Sequence, residues 1–151
     1  MIHAAESAAL AAKLAKAEVD VRIVRPYIAR KEGAIVGYAY FDTHRVRTKK
    51  ETLMVVVDNK QRLGRIEVLA FGEPEEYIPR GAFWKQFKGR ILDDTLDLER
   101  AVRGVTGATL TARATTQAAR RVLALHQVLF GAPRPSPVHE VSVANRSRKS
   151  P

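Results

Sequence analysis

A chain of 151 residues, 46% hydrophobic, is long enough to bury one core, and 26 Lys and Arg against 16 Asp and Glu leave it at +10. It contains no cysteine, which excludes disulfides, thiolate metal ligands, iron–sulfur clusters and cysteine-attached haem. Any redox chemistry must then come from a bound organic cofactor or a cysteine-free metal site, and His3, His44, His126 and His139 show no ligand spacing, so no metal site is expected.

The alanine-rich start is interrupted by Glu6, Lys13 and Lys16, the composition of an amphipathic helix and not of a secretory leader. Residues 1–18 therefore read as an N-terminal helix, ahead of a domain over 19–130. No window approaches the unbroken apolar run of a membrane helix. Residues 19–28 alternate as a strand, with Pro26 marking an edge or an end. Glu32-Gly33 is a turn, and 34–41 is a second strand with Gly37 suited to close packing. Residues 42–50 have the charge of a loop. Residues 52–57 are nearly all apolar, as in a strand covered on both faces. Asp58-Asn59-Lys60 turns the chain, and 65–71 returns with Ile66, Val68 and Ala70 alternating against Arg65, Glu67 and Leu69, which completes an antiparallel hairpin.

Residues 72–79 are irregular and acidic. A short helix then carries Phe83, Trp84 and Phe87 and stops at Gly89, a natural C-cap. Residues 93–102 suit a short helix or an extended loop equally. A long helical pattern runs from Thr109 to Phe130, and 131–151, rich in Pro, Ser and Arg, reads as a disordered basic tail. The expected class is α+β, an antiparallel sheet packed by the N- and C-terminal helices.

The run Thr106-Gly107-Ala108-Thr109-Leu110-Thr111 closes an irregular stretch and opens that long helix. A glycine turn feeding a helix start presents unpaired N–H groups and the positive end of the helix dipole, a ready place for phosphate. The competing reading is a threonine N-cap with glycine easing the turn. What lies upstream bears on the choice. A hairpin, then Glu73-Pro74, then Phe83-x-x-x-Phe87-x-Gly89, then Thr-Gly-Ala-Thr-x-Thr resembles the FMN-binding domain family, over about residues 34–129. Its best-known members are the flavin-carrying subunits of Rnf-type complexes and of the sodium-translocating NADH:quinone oxidoreductase.

The resemblance implies FMN as cofactor, anchored by its phosphate at the turn that opens the last helix. In that family a separate flavin transferase, using FAD, esterifies the threonine after the alanine; by position this is Thr109, with Thr111 as a second hydroxyl. Thr106, Gly107, Ala108 and Leu110 complete the implied site. The family's transferase pattern carries an aspartate six residues ahead of that threonine, where this chain has Arg103. Arg103 suits either a direct bidentate pairing with phosphate or a solvated loop position. Trp84 suits either the isoalloxazine surface or core packing, and Glu73 either a flavin contact or a surface carboxylate.

No acid–base pair oriented to a substrate is apparent, so a flavin-bearing redox component fits better than a self-standing enzyme. The resemblance further implies a redox partner protein associated with a membrane, and an extracytoplasmic, periplasmic-side location. The different-class alternative is a basic, non-enzymatic module for nucleic acid or an anionic surface. The cationic residues are spread out and accompany no zinc-finger, RNP-type or helix-turn-helix pattern, so no nucleic acid partner is expected. The densest run, His44-Arg45-Val46-Arg47-Thr48-Lys49-Lys50, reads as a loop facing an acidic partner or lipid head groups, separate from the phosphate turn.

Overall fold

The computed structural model describes residues 3–20 and 25–133. Helix α1 spans Ala4–Ala15, strands β1 to β4 span Tyr27–Lys31, Ala34–Arg45, Lys50–Asp58 and Leu63–Phe71, helix α2 spans Gly81–Lys85, and helix α3 spans Thr109–Phe130. The four strands form one antiparallel sheet in the order β1-β2-β3-β4. The class is α+β, with α3 laid across one face of the sheet and α1 packed on α3. Among the described residues no helix is long and apolar enough to cross a membrane. The basic tail foreseen for 131–151 lies outside the described residues from position 134 onward.

Small side chains bring the two helices together. Ser7, Ala8, Ala11 and Ala15 are the buried residues of α1, and Ala112, Ala118 and Ala119 are among those of α3. Arg120 ties this pair to the rest of the chain. Its guanidinium donates to the carbonyls of Ala15 at 3.0 Å, Asp93 at 2.8 Å and Leu96 at 2.9 Å. Those carbonyls end α1 and bound the 93–96 turn, so one cation satisfies acceptors from two segments.

The sheet departs from the sequence expectation at three places. The first strand begins only at Tyr27, not at 19; residues 19, 20, 25 and 26 are irregular and 21–24 lie outside the described set. Pro26 has no N–H for a ladder, and the pairing is set instead from the two-residue turn, where Glu32 and Gly33 both have positive φ and Lys31 faces Ala34. The second departure is the charged run 42–50, which is mostly strand. Asp42 faces Leu53, Thr43 faces Thr52, His44 faces Glu51 and Arg45 faces Lys50, so only 46–49 form the connection. Asp42 and His44 enter the sheet because partners neutralise them, as described below, whereas Arg45 and Lys50 stay exposed. Third, 52–57 is not covered on both faces. Leu53, Val55 and Val57 are buried while Thr52, Met54 and Val56 are half-exposed, since the helices lie on one side of the sheet.

The β3–β4 hairpin forms, with its second strand starting at Leu63 and its turn held by the Asp58 carboxylate, which accepts the N–H groups of Lys60 and Arg62. Phe83 and Phe87 are buried in the core beside Leu63, Leu96 and Val102. Residues 93–102 are a loop: the Asp93 carboxylate takes the N–H groups of Thr95 and Leu96, and a single bridge joins Leu98 to Val102.

Candidate functional site

Helix α3 begins without a side-chain cap. Its N-cap position is Ala108, so the threonine N-cap of the simpler sequence reading is not what the structure contains. Gly107 holds a φ of +85°, a conformation that favours glycine, and the Ala108 N–H closes the turn on the Val105 carbonyl. The first bond of the helix runs from the Ala112 N–H to the Ala108 carbonyl. The N–H groups of Thr109, Leu110 and Thr111 precede it and are open donors at the positive end of a 22-residue helix.

These donors line a cavity of about 220 Å³. Residues 107–111 form one wall, Val46 and Arg47 of the connecting loop another, and Glu73 and Tyr77 a third. Thr109 and Leu110 are exposed, whereas Thr111 is buried at 1% exposure. The Thr111 hydroxyl has no partner among the described residues and belongs to the cavity wall. Arg47 and Glu73 are the two charged side chains of the lining.

Glu73 fixes the loop. One of its carboxylate oxygens accepts the Thr48 N–H at 2.8 Å, the Lys49 N–H at 2.6 Å and the Thr48 hydroxyl at 3.3 Å. The backbone donors of Lys49 and Thr48 hold its pKa below the usual carboxylate range. The preceding Gly72 donates its N–H to the Lys50 carbonyl at 2.8 Å. A Cβ there would stand 2.9 Å from both Lys49 Cβ and the Lys50 carbonyl oxygen, so this corner requires glycine.

One layer below, a buried ionic network locks α3 to the sheet. Arg121 donates to both oxygens of Asp42, at 3.0 and 3.2 Å. His44 lies between carboxylates, with Nδ1 3.1 Å from Asp42 and Nε2 2.7 Å from Glu51. An imidazole facing two carboxylate oxygens donates from both nitrogens only when protonated. Burial works against that charge, yet the hydrogen bonds to Asp42 and Glu51 raise the His44 pKa. Burial alone would raise the Asp42 pKa; the His44 hydrogen bond and the Arg121 charge lower it instead. Further along α3, His126 accepts the Tyr40 hydroxyl at Nδ1 (2.7 Å) and donates from Nε2 to Gln61 (2.9 Å), the pattern of a neutral ring. A larger cleft of about 770 Å³ lies between α1 and β2; Glu18 and Asp20 line it as well, and of its charged groups Asp42 is paired with both His44 and Arg121.

A family model described as an FMN-binding domain matches residues 48–124. That span is just over half of the 151-residue chain. The chain belongs to the FMN-binding domain family. No curated protein and no solved structure matches it. FMN is accordingly the cofactor. The matched FMN-binding domain contains Thr48, Glu73, Tyr77 and residues 107–111; Val46 and Arg47 stand immediately ahead of it. The donor set suits the phosphate of FMN: three open amides, the hydroxyl of Thr111 and one guanidinium.

Of the residues singled out from the sequence, the structure brings Glu73, Gly107, Ala108, Thr109, Leu110 and Thr111 together around this cavity, with Thr106 exposed beside Gly107. Trp84 and Arg103 stand elsewhere. Trp84 packs edge-on to Phe83 and donates Nε1–H to the Pro79 carbonyl at 2.8 Å. Arg103 is exposed, its backbone clamped by Gln86, whose amide accepts the Arg103 N–H at 2.7 Å and donates to its carbonyl at 2.9 Å. The loop that seemed separate from the phosphate turn in fact abuts it, since Val46 and Arg47 line the same cavity. Sequence reasoning missed Val46, Arg47 and Tyr77 as site residues. Their only local signal was proximity to a charged run; the pairing of β2 with β3 carries Val46 and Arg47 to the start of α3, and Tyr77 ends the single turn at 75–77 that follows β4.

Proposed function

We propose that this chain is an FMN-carrying electron-transfer protein whose flavin phosphate is held at the 107–111 turn. The observation that carries the reading is the uncapped N-terminus of α3 opening into a cavity lined by Arg47 and the Thr111 hydroxyl. At about 220 Å³ the cavity is smaller than the sites that enclose whole ligands, so it receives the phosphate end, with Leu110, Tyr77 and Val46 as apolar surface nearby. FMN, when bound, supplies the one- and two-electron redox chemistry; the chain supplies anchoring and electrostatics. Helix-terminal amides stabilise a phosphate charge by about 0.3–1 kcal/mol, up to about 2 when partly buried.

Thr109 is the ester site in this reading when a flavin transferase is supplied. Thr109 is exposed, as a residue presented to another enzyme must be. In such an esterification Thr109 Oγ would lose its proton and bond to the flavin-side phosphorus of FAD, with the anhydride bond broken and AMP released with that bond's electron pair. Resemblance supports the remaining parts of the proposal: a membrane-associated redox partner, and a place on the extracytoplasmic side.

Co-expression with a flavin transferase tests the reading. Denatured protein should keep flavin fluorescence in a gel, whole-protein mass spectrometry should find the adduct, and Thr109→Ala should abolish both. A colourless protein whose only ligand is nucleic acid, bound with steep salt dependence, would overturn it.

A further inference from the structure

We infer that Arg47 makes this site selective for phosphorylated over unphosphorylated flavin, and that Glu73 is the positioning residue that holds Arg47 at the helix start. The inference rests on the reading that the flavin phosphate lies at the 107–111 turn. Charge balance singles out Arg47. A phosphomonoester carries about −1.5 to −2 at neutral pH. The helix terminus offers about +0.5, and Glu73 contributes a full negative charge to the same cavity. Without Arg47 the lining is net negative; with it, net positive.

Glu73 is a carboxylate in an anion site, and its hydrogen bonds explain why. The oxygen that accepts from Thr48 and Lys49 closes the turn directly after Arg47. The close approach of Gly72 to Lys49 and Lys50 sets the corner from the other side. The carboxylate is thus spent on loop amides, and the guanidinium has no ion-pair partner among the described residues. Thr111 supplies a second, independent indication of a ligand: a hydroxyl on a residue at 1% exposure, lining the cavity and without a partner. The fully enclosed unpaired side-chain atoms among the described residues are Glu51 Oε2 and Thr115 Oγ1, so the Thr111 hydroxyl is one that solvent or a ligand in the cavity can reach.

The test is a pair of affinities. FMN and riboflavin are titrated into the unloaded full chain, with quenching of flavin fluorescence as the readout. The parent should prefer FMN by about tenfold or more, the worth of hydrogen bonds to a charged group. Arg47→Ala should remove most of that preference by weakening FMN while leaving riboflavin unchanged, and Arg47→Lys should restore part of it. Glu73→Ala should lower the preference for FMN when Arg47 is present, whereas in the Arg47→Ala background, where it only removes a negative charge from the lining, it should raise that preference. A parent with no preference for FMN would overturn the phosphate reading itself. A parent that prefers FMN while Arg47→Ala keeps the full preference would overturn only the role of Arg47. Equal loss of both ligands in Arg47→Ala would reduce Arg47 to a structural residue and also reject the inference.

Discussion

One buried and one half-buried histidine with opposite shifts should give this protein a stability maximum near pH 6.5. His126 is 1% exposed, hydrogen-bonded as a neutral ring between Tyr40 and Gln61, and burial depresses its pKa from 6.5 to about 4. The unfolded chain therefore takes up a proton below pH 6.5 that the folded chain refuses. Stability falls as pH drops from 6.5 toward about 4, by about 3 kcal/mol in all. His44 acts on the other flank. Its folded pKa is raised, so its contribution is complete below 6.5 and is lost as pH rises through the folded value. The lowered carboxylate of Asp42 adds a further loss only below its ordinary 3.8. Urea unfolding followed by circular dichroism from pH 4 to 9 measures this directly. In thermal scans, the acid flank should appear as a drop in Tm of about 6–12 °C for a chain of this size. His126→Gln should flatten the flank between 6.5 and 4.5, and His44→Gln should flatten the alkaline one. An acid slope that survives His126→Gln would refute the burial argument.

Arg121→Ala removes one partner of a buried ion pair with Asp42, whose side chain is 6% exposed, and should destabilise the fold by about 3–5 kcal/mol in urea titrations; a loss under about 1 kcal/mol would mean that solvent reaches the pair freely. Gly72→Ala drives a Cβ to 2.9 Å from Lys49 Cβ and the Lys50 carbonyl oxygen. It should cost about 1–3 kcal/mol and weaken FMN uptake through displacement of the 46–49 loop. An unchanged urea midpoint together with unchanged FMN affinity would show that this corner is slack. Phe87→Ala opens a hole in the core at a residue with no exposure and should cost about 3–5 kcal/mol, with a melting shift as the check and a cost below 1 kcal/mol as the contrary result.

Helix α3 was legible in the sequence to both its ends, Thr109 and Phe130, because a long 3.6-residue pattern has a glycine near its start and another directly after its end. The β3–β4 hairpin was legible from alternation and its Asp-Asn turn. What escaped was decided across strands. Asp42 and His44 read as loop residues because charge in a short window signals solvent; in the fold His44 bridges Asp42 and Glu51, and Arg121, 79 positions away from Asp42, completes the set. The site divided in the same way. The turn at 107–111 was visible as a contiguous motif, whereas Arg47 reaches the cavity only through the pairing of β2 with β3, and Glu73 shows its role only through the backbone donors it accepts. Arg103 and Trp84 were near the motif in sequence, but Gln86 and Pro79 engage them away from the cavity.

Whether the flavin phosphate sits at the start of α3 is answered most directly by an amide-resolved NMR titration of FMN into the isotope-labelled chain. The largest shifts are expected at Gly107, Thr109, Leu110, Thr111 and Arg47, with riboflavin failing to reproduce those at 109–111. Shifts centred instead on Asp42, His44 and Arg121 in the α1–β2 cleft, or identical responses to FMN and riboflavin at 109–111, would contradict the assignment.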